Sequence, residues 1–182
     1  MSKEVEVILS IDPQVIEDFN YESQEDEDWG NINFPFDANN LTNNTGTHFG
    51  SWFQTLEAGQ VMKFALDEST YHETLEIEFI RLNPLGSINY IEKSPIEAWG
   101  RVVDLDYTEG AIGDYGSYYL APYRTEIDGR KTTVYKLKGS DNLYDYSPNL
   151  SYTILFSFVG KKGNRHYCTI DPLIKTSSKV TD

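Results

Sequence analysis

The strongest constraint on this chain lies in residues 151–174, SYTILFSFVGKKGNRHYCTIDPLI. Tyr152, Ile154, Phe156 and Phe158 recur at period two, and Thr153, Leu155, Ser157 and Val159 fill the alternate positions. Successive side chains of a strand point to opposite faces, so this stretch is a strand with one apolar and one semi-apolar face. Such a strand belongs inside a sheet, with a neighbour on each edge. Gly160-Lys161-Lys162-Gly163-Asn164 supplies the small and turn-tolerant residues of a hairpin loop. The return strand, residues 165–170, stops at Asp171-Pro172 because proline has no N–H to give to a ladder. This pair is expected to be the scaffold's centre.

The rest of the chain favours strands. Val5, Val7, Leu9 and Ile11 alternate with mostly polar positions, which predicts a first strand. Asp12-Pro13 supplies an N-cap and a first-turn proline, predicting a short helix over residues 13–19. Residues 22–28 form an unbroken polar and acidic run, and residues 31–47 are rich in asparagine. Neither can bury apolar surface, so one long acidic and Asn-rich loop is expected over residues 20–48. Strands are predicted at 50–55, 60–66 and 75–82, with Leu75, Ile77 and Phe79 sharing a face, and less strongly at 99–105, 115–120 and 132–138. Asp128-Gly129 precedes the last of these as a hairpin turn. Thirteen Tyr, nine Phe and three Trp agree with a β domain. The expectation is a single all-β domain over residues 1–182. Its architecture would be an antiparallel β-sandwich with one short N-terminal helix, jelly-roll and immunoglobulin-like topologies both left open.

Charge removes some functions. Twenty-nine acidic residues stand against 15 basic ones, a formal charge of −14. Nucleic-acid binding needs a basic footprint, and docking on anionic lipid needs the same. Neither partner is expected. Cys168 is the only cysteine, which excludes an intrachain disulfide and a cysteine-built zinc site. No apolar run reaches the roughly 18 residues of a spanning helix. The opening MSKEVEVILS lacks a basic start and continuous apolar core, so a cytoplasmic protein is expected, with a processed exported form as the alternative.

Catalytic patterns are missing: there is no G-x-S-x-G elbow, Walker loop, H-E-x-x-H or dinucleotide fingerprint. No catalytic residue and no cofactor are expected. His48, His72 and His166 follow no metal spacing. His166 and Cys168 share a strand face, a conceivable dyad set against an ordinary in-facing strand pair. Asp104, Asp106, Glu109 and Asp114 place four carboxylates in eleven residues around Gly110 and Gly113, a weak candidate for calcium against a solvated turn. Tyr115, Tyr118, Tyr119 and Tyr123, followed by Tyr144 and Tyr146, lie beside Gly, Asn and Asp. Rings beside planar hydrogen-bond partners suit a carbohydrate or small-molecule site, and equally a self-association surface.

Three segments carry a resemblance. The opening Val5-Glu6-Val7-Ile8-Leu9-Ser10-Ile11-Asp12, the stretch Leu56-Glu57-Ala58-Gly59-Gln60-Val61-Met62-Lys63-Phe64, and the closing Tyr167-Cys168-Thr169-Ile170-Asp171-Pro172-Leu173-Ile174 resemble strands of the AidA/PixA family of bacterial inclusion-body proteins. The resemblance implies a β-sandwich without defined enzymatic activity that works by self-association, a homo-oligomer, or by binding. It supplies no catalytic positions. The acidic run at 22–28 and the Asn-rich loop depart from the family, and two methionines suit a sulphur store poorly. The alternative function is a lectin-like module recognising carbohydrate, with or without calcium.

Overall fold

A computed structural model describes residues 4–9, 41–43, 53–66, 73–83, 99–100, 102–113, 117–127, 129–141, 150–159, 163 and 165–177. Within them the chain forms β1 (Glu4–Leu9), β2 (Leu41–Asn43), β3 (Phe53–Glu57), β4 (Val61–Leu66), β5 (Glu76–Leu82), β6 (Gly110–Ile112), β7 (Tyr118–Leu120), β8 (Tyr123–Ile127), β9 (Arg130–Lys138), β10 (Leu150–Val159), β11 (Arg165–Ile170) and β12 (Leu173–Ser177). One sheet has the order β2-β1-β4-β9-β8; the other runs β3-β12-β10-β5-β7-β6, with β11 also on β10. The described residues are thus nearly all strand, in two sheets. The helix expected over residues 13–19, and almost all of the loop expected over 20–48, lie outside them.

The expected central strand is central. Tyr152, Ile154, Phe156 and Phe158 of β10 are all 1% exposed or less. β5 pairs along one edge of β10, and β11 and β12 follow one another along the opposite edge. The break between those two is Asp171-Pro172. Proline cannot donate, but its carbonyl can accept, and the Tyr152 N–H bonds to the Pro172 oxygen at 3.1 Å. The ladder therefore continues across the break, and β12 turns away to pair with β3.

Two pairings depart from the antiparallel expectation: β1 with β4, and β3 with β12, are parallel. Tight hairpins force antiparallel neighbours; strands joined by long connections are free to run either way. The expected β8–β9 hairpin does form, its strands pairing out to Ile127 and Arg130, with Gly129 at φ 79°. Residues 99–105 do not form the predicted strand. The N–H groups of Val102 and Val103 both bond to the Trp99 carbonyl, at 2.9 and 2.7 Å, closing a turn. Its apolar residues are nonetheless core: Trp99, Val102 and Val103 are buried, and the Trp99 indole N–H donates to the Asn83 carbonyl at 2.6 Å.

One cluster of buried residues joins the sheets. Val7, Met62, Phe64, Tyr135 and Leu137 come from one, and Ile80, Leu82, Tyr152, Ile154 and Phe156 from the other. The Phe64 and Tyr152 rings meet with centroids 5.4 Å apart.

The expected face of β5 needs correction. Leu155 of β10 pairs with Phe79, but the next residue, Phe156, pairs with Ile77, so Glu78 is an extra residue. A bulge reverses the in-out parity of everything beyond it. Leu75 and Ile77 face the core before it; Ile80 and Leu82 face it afterwards. Phe79 is turned to the outer face, packing edge-on against Tyr119 at 5.2 Å with the Arg81 guanidinium 6.0 Å from its ring centre.

Candidate functional site

The alternation that buries part of β9 also builds a cleft. Tyr135 and Leu137 point into the core, opposite Phe64 and Met62 of β4. Period two puts Thr133 and Lys131 on the same face further towards the β8–β9 hairpin, where β4 no longer runs alongside. Across that hairpin, Arg124 pairs with Thr133 and Glu126 with Lys131, so all four share the face. This polar end of the hairpin stands over the start of β5. Between them is a cleft of about 690 Å³, within the usual range for small-molecule sites.

Leu66, Leu75, Ile77 and Tyr135 give the cleft an apolar floor. Glu73, Glu76 and Glu78 line it from β5 and the turn before it; Arg124, Glu126 and Lys131 line it from the hairpin, with Thr125, Thr132, Thr133 and Pro122. The Tyr135 hydroxyl donates to the carbonyl oxygens of Ile77 and Glu78, at 3.3 and 3.2 Å. Burial, and then the Glu78 carboxylate, push its pKa up to about 12, with Arg124 pulling the other way. At neutral pH this phenol is a hydrogen-bond donor and not a base.

Arg165 holds part of the acidic wall from the outer face. Its Nη1 donates to Ser157 Oγ at 2.8 Å and to the Thr74 carbonyl at 3.3 Å, and lies 3.9 Å from a carboxylate oxygen of both Glu76 and Glu78. The buried Ser157 hydroxyl donates in turn to Glu78. Glu73, Arg124, Glu126 and Lys131 make no ion pair within 4.0 Å among the described residues. The described lining holds neither histidine nor cysteine.

The residues singled out in the sequence lie elsewhere. Asp104 caps its own turn: Oδ1 accepts from the N–H groups of Asp106 at 3.2 Å and Tyr107 at 3.1 Å, and Oδ2 lies 3.5 Å from Lys138 Nζ. Asp106 and Glu109 are exposed, and Glu109, after burial, helps to raise the pKa of the Tyr123 phenol. Asp114 is outside the described residues, among which no three His, Cys, Asp or Glu converge on a metal position. Tyr118 is 8% exposed and donates its hydroxyl to the Thr108 carbonyl at 2.8 Å; Tyr119 is half-buried against Phe79. Tyr115, Tyr144 and Tyr146 lie outside the described residues, as do His48 and His72. His166 and Cys168 sit opposite Phe158 and Phe156 in register. The His166 ring lies 5.8 Å from that of Phe158, and burial lowers its pKa.

Tyr123, of the same tyrosine cluster, is 40% exposed, with Lys136 Nζ 5.8 Å from its ring centre. Tyr107, 44% exposed with Lys138 Nζ 5.5 Å from its ring centre, was not foreseen. Nor was the cleft. Its one sequence signal is that the inward positions of β9 begin polar, at Lys131 and Thr133, before becoming Tyr135 and Leu137. No protein-family model matches the chain, and no curated protein matches it.

Proposed function

We propose that this protein is a non-catalytic β-sandwich that works by binding a small polar ligand in the cleft between β5 and the β8–β9 hairpin. The observation that carries this reading is the convergence of charged groups of both signs, Glu73, Arg124, Glu126 and Lys131, none in an ion pair within 4.0 Å among the described residues, on a concave space with an apolar floor. Surface charges scatter; charges gathered around a ligand-sized hollow give orientation and selectivity. The AidA/PixA resemblance agrees with a role without catalysis.

Thermal unfolding against a panel of sugars, amines, carboxylates and amino acids tests the reading. A ligand at 100 times its Kd should stabilise by about 2.7 kcal/mol, or roughly 5–10 °C for a domain of this size. Thr133→Trp, which fills the cleft, should abolish that shift while leaving the unliganded protein folded. A panel with no cleft-dependent shift would remove the proposal.

Self-association is the second reading, favoured by the open edges. Ile112 is 69% exposed on β6, and Tyr123 is 40% exposed on β8; both strands end their sheets among the described residues. Unpaired edges bearing apolar side chains are templates for a second copy. Light scattering across micromolar concentrations should then show mass rising with concentration, and a constant monomer mass would oppose it.

A further inference from the structure

We infer that the cleft selects a zwitterionic small molecule, its amine held by Glu73 and its carboxylate or phosphate by Arg124. The inference rests on the cleft being a binding site and adds the charge pattern of its occupant. Six charged residues line the space, and their partners divide them. Glu76 and Glu78 are shared with Arg165 on the outer face. Glu126 and Lys131 are direct cross-strand partners on the hairpin, opposite charges on one face that attract without reaching an ion pair within 4.0 Å. Among the described residues, that leaves Glu73 and Arg124 with no opposite charge in ion-pair distance or directly across a ladder. Glu73 stands in the turn before β5, and Arg124 stands on β8 opposite the neutral Thr133. They belong to facing elements of the cleft.

A ligand of one charge would serve this arrangement badly. An amine alone would neutralise Glu73 but cover Arg124 without a partner, and a carboxylate alone would do the reverse. Covering an unpaired charge costs desolvation that nothing returns. A molecule carrying both charges meets both residues, and its spacer lies on Leu66, Leu75 and Ile77. Thr133, on the same face as Arg124, offers its hydroxyl to further polar groups. Guanidinium suits this role because its fork takes a carboxylate or phosphate through two parallel bonds.

The test uses matched series: ω-amino carboxylates of two to six carbons, and the amines and carboxylates of the same lengths. Each is titrated by calorimetry against the full chain. One ω-amino carboxylate should bind at least tenfold tighter than either single-charge analogue of its length. Arg124→Glu should reverse the preference towards the diamine of the same length, which a general loss of folding would not do. Equal affinity for the amine and the zwitterion would overturn the inference. If an uncharged sugar binds and Thr133→Trp abolishes it, the cleft reading stands and the zwitterion is wrong. If no member of either set binds in a cleft-dependent way, both fail.

Discussion

The Tyr135 hydroxyl, on β9 of one sheet, donates at 3.2 Å to the carbonyl of Glu78, the extra residue in the bulge of β5 on the other. A bulge removes a residue from the regular ladder, and the carbonyl it frees needs a donor. Tyr135 provides one, with the neighbouring Ile77 carbonyl as a second acceptor at 3.3 Å. The inter-sheet tie and the cleft floor are therefore the same side chain. Tyr135→Phe keeps the ring and removes only the bond, so it should cost about 1–2 kcal/mol. In urea, the midpoint should fall with the slope unchanged. An unchanged midpoint would mean that water replaces the phenol.

The same residue gives an alkaline prediction. Its pKa is pushed from 10 to about 12, and the fully buried Tyr152 is raised further still. Above pH 10 the unfolded chain loses protons that the folded chain keeps. Stability is therefore complete below about pH 10 and falls as pH climbs towards 12. Melting temperature should decline over that window, and less steeply in Tyr135→Phe. An identical slope in the two proteins would argue that Tyr135 titrates normally.

The bulge also separates two neighbours that look alike in the sequence. Ile80 is fully buried, whereas Phe79 is half-buried on the outer face. Ile80→Ala should cost about 2–5 kcal/mol, as for a core truncation. Phe79→Ala, losing mainly its edge contact with Tyr119 and some area, should cost less, about 1–2 kcal/mol. Equal losses, or a larger one for Phe79, would mean that the strand runs unbulged.

That pair marks the limit of what the sequence discloses. Period-two alternation located β10 and its inward face because both edges and one face are buried there, so burial and pattern coincide. Around Glu78 the pattern LEIEFIRL supports two parities, and only pairing with β10 decides between them. β12 was missed because Pro172 looks like an ending; its carbonyl keeps the ladder going. The Trp99 turn imitated a strand because its apolar residues serve the core without forming one. Of the site, Arg124 and Glu73 are unremarkable surface letters. They become neighbours of one cleft only when β8 and β5, from different sheets, face each other.

His166 gives an acid-side prediction. Burial lowers its pKa from the ordinary 6.5, so the folded chain resists a proton that the unfolded chain accepts. Stability is unaffected above about pH 6.5 and declines as pH falls below it, before the carboxylates begin to titrate near pH 4. His166→Gln should flatten the dependence between pH 6.5 and 5. A wild-type stability that rises on acidification through that window would reverse the sign and sink the assignment.

Calcium offers the last test, because Asp104 already has employment for its carboxylate. Oδ1 takes two backbone N–H groups of its own turn and Oδ2 faces Lys138. Calcium demands six to eight oxygens, and would have to displace those donors to recruit this one. Asp104→Ala should therefore cost about 1–2 kcal/mol, the worth of two turn hydrogen bonds, with the partly exposed Lys138 pair, at 3.5 Å, adding little. The loss should be the same with calcium, with magnesium and without either. In the wild type, millimolar calcium and magnesium should move the melting temperature alike, by about a degree or two. A micromolar site would instead give roughly 4 kcal/mol at millimolar calcium, or about 8–16 °C. A shift of that size with calcium alone, removed by Asp106→Ala, would place an ion among Asp104, Asp106 and Glu109 and make the turn a recognition site.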